Sequence, residues 1–148
     1  MESNLTRFIS IQEENNPSYS DAISFYDSAI KELESGKKVS HWIWFIFPQL
    51  TGLGSSHNST YYGLSSLEEA KEYLNHPLLA ERLIKCFEIV FDIDSDLFNV
   101  FEYDEKKVWA CATLFSKANN QKSDLFDRVI EKHFNNQYHY KTPELLGL

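Results

Sequence analysis

Cysteine is almost missing from this chain of 148 residues: Cys86 and Cys111 stand far apart, with no CxxC and no paired Cys/His spacing. That excludes a disulfide framework and makes a zinc site a poor reading; buried free thiols in a reducing compartment are expected instead. Positive charge is also short. Lys and Arg number 14 against 22 Asp and Glu, for a net charge of −8, and the basic residues are scattered. A protein that grips a nucleic-acid polymer clusters its cations, so such a polymer is not expected as a partner. No apolar run approaches the length that spans a bilayer, and Met1-Glu2-Ser3-Asn4 lacks a basic stretch followed by an apolar one. No membrane association is expected, and the chain reads as cytoplasmic. Alternating strand patterns, internal repeats and low-complexity tracts are lacking as well.

What is abundant is aromatic: 15% of the residues, against an ordinary charged fraction of 24%. Rings of that number predict a ring-rich core or pocket in a folded, not a disordered, chain. They are densest in His41-Trp42-Ile43-Trp44-Phe45-Ile46-Phe47-Pro48-Gln49, which runs into Gly52-Leu53-Gly54-Ser55. The rest of the chain is expected to pack around this stretch. Its apolar run is too short for periodicity to separate helix from strand, but its surroundings are helical, so a short buried helix ending before Pro48 is predicted.

The surroundings read as follows. Leu5, Phe8, Ile9 and Gln12 share a helical face that Asn15-Asn16-Pro17 breaks. A second helix is expected from Ser18 or Ser20, with Ala22, Ile23, Tyr26, Ile30 and Leu33 on one side and Gly36 as its left-handed end. Ser66 and Glu69 form a capping box for a helix that stops at Asn75-His76-Pro77. Leu79, Leu83, Cys86, Phe87 and Val90 mark the next helix, and Asp92, Asp94 and Asp96 a solvated turn, since a calcium loop's glycine and terminal glutamate are missing. Asp104 is expected to cap a helix through Phe115, Asn119-Asn120-Gln121 a polar loop, and Ser123-Asp124 the start of the last long helix. Thr142-Pro143-Glu144 begins a final turn. The architecture predicted is all-α: one compact domain over residues 1–148, with about six to eight helices.

No catalytic signature is present, so candidate sites rest on single residues. His41 is read either as a general acid/base facing a cavity floored by Trp42 and Trp44, or as an anchor whose ring bonds a backbone carbonyl. Trp42, Trp44 and Phe47 are a stacking platform for a planar ligand or ordinary core; six consecutive apolar residues on a helix cannot all face one pocket. Gln49 and the Gly52–Ser55 loop can present donors to an anion, or simply turn the chain. His76 is a second polar group for a pocket or a ligand for helix-end carbonyls.

The run Ser40–Gln49, with Leu5, Arg7-Phe8, Gln12, Gly36-Lys37-Lys38 and Gly52–Ser55, resembles a mainly bacterial family of uncharacterised proteins, domain of unknown function 1810, sometimes labelled calpastatin. The likeness continues through Tyr62, Glu69-Ala70, Tyr73-Leu74, His76-Pro77, Leu79, Arg82-Leu83, Thr113-Leu114-Phe115 and Phe126. It implies an all-α single domain and no established reaction. Departures fall in the second half. Glu102 and Asn136 stand where the family tends to glycine, Asp104–Cys111 is bulkier, and His139 or Tyr140 replaces an aspartate near Thr142.

The leading expectation is a pocket of His41, Trp42, Trp44, Gln49, Ser55, Tyr62 and His76 that binds, or binds and hydrolyses, a small nucleotide- or ADP-ribose-like molecule. No metal and no cofactor are expected in it. The alternative is a non-catalytic protein-interaction module whose aromatic stretch is core. Convergence of His41, Gln49 and His76 favours the first.

Overall fold

A computed structural model describes residues 4–119 and 123–148, so Met1–Ser3, and Asn120 and Gln121 of the expected polar loop, lie outside the described residues. Among the described residues the regular structure is all helical. Six helices have eight residues or more: α1 (Thr6–Glu13), α2 (Phe25–Ser35), α5 (Leu67–Asn75), α6 (Pro77–Asp92), α8 (Glu105–Ala118) and α9 (Leu125–His133). Short helices fill the gaps: α3 (Ile43–Ile46), α4 (His57–Tyr61), α7 (Phe98–Phe101) and α10 (Thr142–Leu145). A 3₁₀ turn, Glu102–Asp104, joins α7 to α8. Extended pairing among the described residues is confined to two isolated bridges, Asn15 with Ser24 and Leu50 with Leu64.

Helix α8 is the hub for the long helices of the second half, and the tryptophan-rich stretch is at least as enclosed, with every residue of 42–50 buried except Trp44. Helices α5 and α9 pack directly on α8, and α6 packs on α9 and α5. Its small residues Ala110, Cys111, Ala112 and Thr113 are all buried and let neighbours approach on several sides, while Leu114 and Phe115 fill the centre. The Trp42–Phe47 run forms one wall of this core. Trp42 and Phe47 are fully buried, Phe47 edge-on to Phe87 at 5.1 Å, and Trp44 alone is half-buried.

Local signals held where the backbone needed them and failed where side chains found other partners. Gly36 is left-handed (φ 83°) and closes α2, as expected. Helix α2 begins later than predicted, at Phe25 with a Ser24 cap. Asn16 is the cause: its Oδ1 accepts from the Ser18 N–H, its Nδ2 donates to Ser28 and Ser40, and its backbone N–H bonds Ile23. That leaves residues 17–23 as a tied loop. The Ser66 hydroxyl caps α5, but Glu69 does not return the bond to Ser66. Its carboxylate accepts from the Ser65 N–H at 2.9 Å and pairs with Arg7 at 3.4 Å.

Behind the aromatic wall lies a buried carboxylate. Oε1 of Glu32 accepts from the Val39 and Ser40 backbone N–H groups and from the Trp42 indole, and Oε2 from the Tyr19 and Ser40 hydroxyls. Five donors satisfy the charge and fix the entry angle of the stretch. Gln12 does similar work on the other side, donating to the Phe45 carbonyl and to Tyr73 and accepting from Arg82. Both cysteines are buried and free. No helix among the described residues is long and apolar enough to cross a membrane.

Candidate functional site

The loop that leaves α3 is held by a two-rung contact, Leu64 N–H to the Gln49 carbonyl and Thr51 N–H to the Leu64 carbonyl, both 2.8 Å. This places Trp44, Gln49 and Leu53 on one wall of a cleft of about 250 Å³. The 3₁₀ turn and the start of α8 supply Tyr103, Lys106 and Lys107, and the segment before α10 supplies His139, Tyr140 and Lys141. In a chain of net charge −8, three lysines line this one depression.

Gln49 stands out within it. The residue is 7% exposed, and its Nε2 is the one buried side-chain polar atom without a partner among the described residues. A void of about 10 Å³ behind it, bounded by Ser59, Tyr62 and Gly63, has at most the room of a single water. Trp44 is not a free platform, because the Lys107 ammonium lies over its ring at 5.1 Å. The open aromatic faces belong to Tyr103 and Tyr140 at the rim, 82% and 72% exposed.

The lysines differ in state. Asp104 ties Lys107 at 2.9 Å and Lys38 at 3.1 Å, and this is why it makes no side-chain cap on α8. Burial alone would raise the Asp104 carboxyl; the bonds from Lys107 and Lys38 outweigh it and hold the group below its ordinary value. Lys106 and Lys141 make no ion pair among the described residues. His139 is buried, with its backbone N–H on the Thr113 hydroxyl and its ring between Tyr140, stacked at 4.6 Å, and Trp109, edge-on at 5.2 Å. Its Nδ1 faces the N–H groups of Lys141 and Thr142, each at 3.3 Å, and the Thr142 hydroxyl at 3.0 Å. Burial, then the charges of Lys106 and Lys141, push its pKa below the ordinary value, so the ring is neutral near pH 7.

The residues named from the sequence part company here. Trp44 and Gln49 meet in the cleft, and Tyr62 touches the void behind Gln49. Trp42 is core, its N–H spent on Glu32. His41 is exposed, does not line the cleft and makes no hydrogen bond among the described residues, so the carbonyl bond expected of an anchor is not made there. His76 caps α6 by accepting the Leu79 N–H at 3.4 Å, serving amides and not carbonyls. Ser55 is exposed in its loop, outside the cleft. His41, Gln49 and His76 therefore do not converge. The site's other half, Tyr103, Lys106, Lys107 and His139–Lys141, was missed. A faint signal existed in His139-Tyr140-Lys141, an aromatic and basic cluster just before a helix start.

Comparisons with known proteins bear on the whole chain. The model of the family described as Protein of unknown function (DUF1810) matches residues 2–146. The crystal structure of the conserved hypothetical protein Rv1873 from Mycobacterium tuberculosis is similar over 97% of this chain and 96% of that one, with 36% identity and a TM-score of 0.86. No curated protein sequence matches.

Proposed function

For a chain that belongs to the DUF1810 family, we propose that the cleft between Gln49 and His139 binds a small anionic molecule carrying a planar ring, of nucleotide-like chemistry. The observation that carries this reading is the Gln49 amide. A buried donor left unpaired costs about 1–3 kcal/mol, and such groups are rare in stable cores unless something else uses them. Here Gln49 stands in the wall of a cleft whose charged groups are all cations, the ammonium groups of Lys106, Lys107 and Lys141. Tyrosine faces at the rim suit a ring, and the lysines suit its charge.

The reading is binding, not hydrolysis. The described residues that line the cleft include no carboxylate, and Asp104 beside it is held by two lysines. The Nδ1 lone pair of His139 is engaged by the protein. Nothing there is placed to take a proton from water.

The test is a thermal-shift and calorimetric screen of ring-bearing anions, nucleotides and aromatic carboxylates alike, against the protein and its Gln49→Met variant. Met keeps most of the volume and removes the unpaired donor. The variant is expected to melt at or above the wild-type temperature and to lose the ligand shift. A variant that melts lower and keeps the shift sinks the proposal, because Gln49 would then be structural. A wild type that responds to no ring-bearing anion does the same.

A further inference from the structure

We infer that the anionic end of the ligand is a phosphate monoester, seated between Lys106 and Lys141 and accepting a hydrogen bond from Nε2–H of a neutral His139. This rests on the cleft being the ligand site proposed above, and adds what that site recognises.

The tautomer follows from geometry. Two backbone N–H groups, of Lys141 and Thr142, point at Nδ1 of His139, and the Thr142 hydroxyl lies 3.0 Å from the same nitrogen. A nitrogen that accepts from amides carries no proton, so in the neutral ring the hydrogen is on Nε2. Nε2 has no protein partner among the described residues, and the residue lines the cleft. His139 thus offers the cleft a donor and no acceptor.

The groups facing the ring hold it in that state. Lys106 and Lys107 come from α8, Lys141 and Tyr140 from its own segment, Tyr103 from the 3₁₀ turn, and Gln49, Trp44 and Leu53 from across the cleft. None of them is an anion that would favour the imidazolium. Asp104, the carboxylate beside Lys107, is committed to Lys38 and Lys107. What remains for a ligand is two ammonium groups outside any ion pair among the described residues, an imidazole N–H and the Gln49 Nε2 donor in the wall. A phosphate monoester carries close to two charges at neutral pH and three terminal acceptor oxygens, which matches that set. A carboxylate brings one charge and two oxygens, and would leave donors unused.

The pH dependence has a definite sign. With a neutral His139, affinity weakens as pH falls below about 6, where the phosphate gains a proton and loses charge. Were His139 an imidazolium partner, affinity would strengthen over the same range.

The experiment compares four ligands by calorimetry on the full chain: a nucleoside 5′-monophosphate, its parent nucleoside, an aromatic carboxylate of similar size, and inorganic phosphate. The monophosphate is expected to bind best, and to weaken about tenfold or more in His139→Asn, the usual loss of one hydrogen bond to a charged group. Asn keeps an acceptor near the Nδ1 position for the Thr142 N–H and lacks a group at Nε2. His139→Gln, which puts an amide N–H near Nε2, recovers part of the loss. A carboxylate or nucleoside that binds as tightly as the monophosphate overturns the phosphate seat while leaving the cleft as a ligand site. Binding of none of the ring-bearing ligands overturns both. Should the variants fail to fold, ¹⁵N correlation of the wild-type imidazole decides: a Nδ1–H tautomer or an imidazolium at neutral pH rejects the assignment.

Discussion

The indole N–H of Trp42 donates to Oε1 of Glu32 across 2.9 Å, between two residues that are 0% and 2% exposed. The bond explains why a tryptophan, and not another large apolar residue, opens the aromatic run. The carboxylate is buried to serve the backbone turn at Val39 and Ser40, and the indole completes its coordination while filling the core.

Trp42 and Trp44 are therefore expected to separate in stability. Trp42→Ala removes a fully enclosed ring and should cost about 3–5 kcal/mol. Trp44→Ala removes a half-buried ring that faces Lys107 and should cost about 1–2 kcal/mol, in line with its smaller buried area. Urea denaturation midpoints of the two variants give the comparison; equal losses would contradict the burial difference.

Glu32 predicts an acid limb. Burial pushes its carboxyl up, but bonds from Ser40, Val39 and Tyr19 outweigh burial and hold it below the ordinary carboxylate value. A group depressed in the folded state lends stability above its unfolded pKa and loses it as pH falls through the folded one. Between pH 7 and 5 the contribution is full; it declines below the ordinary carboxylate pKa of about 4.3. Glu32→Gln should be less stable at pH 7 by about 1–3 kcal/mol and fall less steeply in acid. Melting curves from pH 7 to pH 3 test both parts.

Glu102 occupies φ 52°, ψ −130°, a region that glycine enters freely and a side chain does not. Its pair with Lys37 is mostly exposed and contributes little. Glu102→Gly should raise stability by about 1 kcal/mol, the relieved strain exceeding the entropy that glycine adds to the unfolded chain. An unchanged or lower melting temperature refutes the strain.

Gly63 has no room for a side chain. A Cβ there would lie 2.4 Å from the Thr51 hydroxyl and 2.7 Å from the Ser59 carbonyl. Gly63→Ala should cost about 1–3 kcal/mol by overpacking. Because Leu64 next door holds the Gln49 backbone, ligand response should weaken with it. Retained melting temperature and response together would show that the loop can shift.

The long helices were legible because each displays a 3.6-residue apolar face, and Gly36 because a helix end of that shape asks for a left-handed residue. Glycine-like positions at Glu102 and Asn136 were legible through the family resemblance, and both have positive φ, 52° and 56°. Gly54 was misread. Its need is closeness, with the Ser59 hydroxyl 3.0 Å from where a Cβ would be, not an unusual angle. The start of α2 was misplaced because Asn16 takes its partners from Ser28 and Ser40, contacts with no sequence period. Half the cleft was legible, since Trp44 and Gln49 lie in the conspicuous stretch. Lys106, Lys107 and His139–Lys141 come from two distant segments that only the packing of α8 brings opposite Gln49, and their one local mark is the faint aromatic and basic cluster His139-Tyr140-Lys141. His41 and His76 drew notice as titratable residues beside punctuation, and punctuation alone governs where they lie.

The three tryptophans sit in three different settings, and this gives the molecule an optical gauge of its own. Trp42 is sealed in the core against a carboxylate, out of reach of any dissolved quencher. Trp44 lines the cleft beneath an ammonium group, and Trp109, half-buried on Phe134 at 5.6 Å, touches the ring of His139 from behind. One of the three emitters thus lines the cleft, a second touches it through His139, and the third lies apart from it. Intrinsic fluorescence resolves into a constant share that reports folding and a variable share that reports what enters between Gln49 and His139.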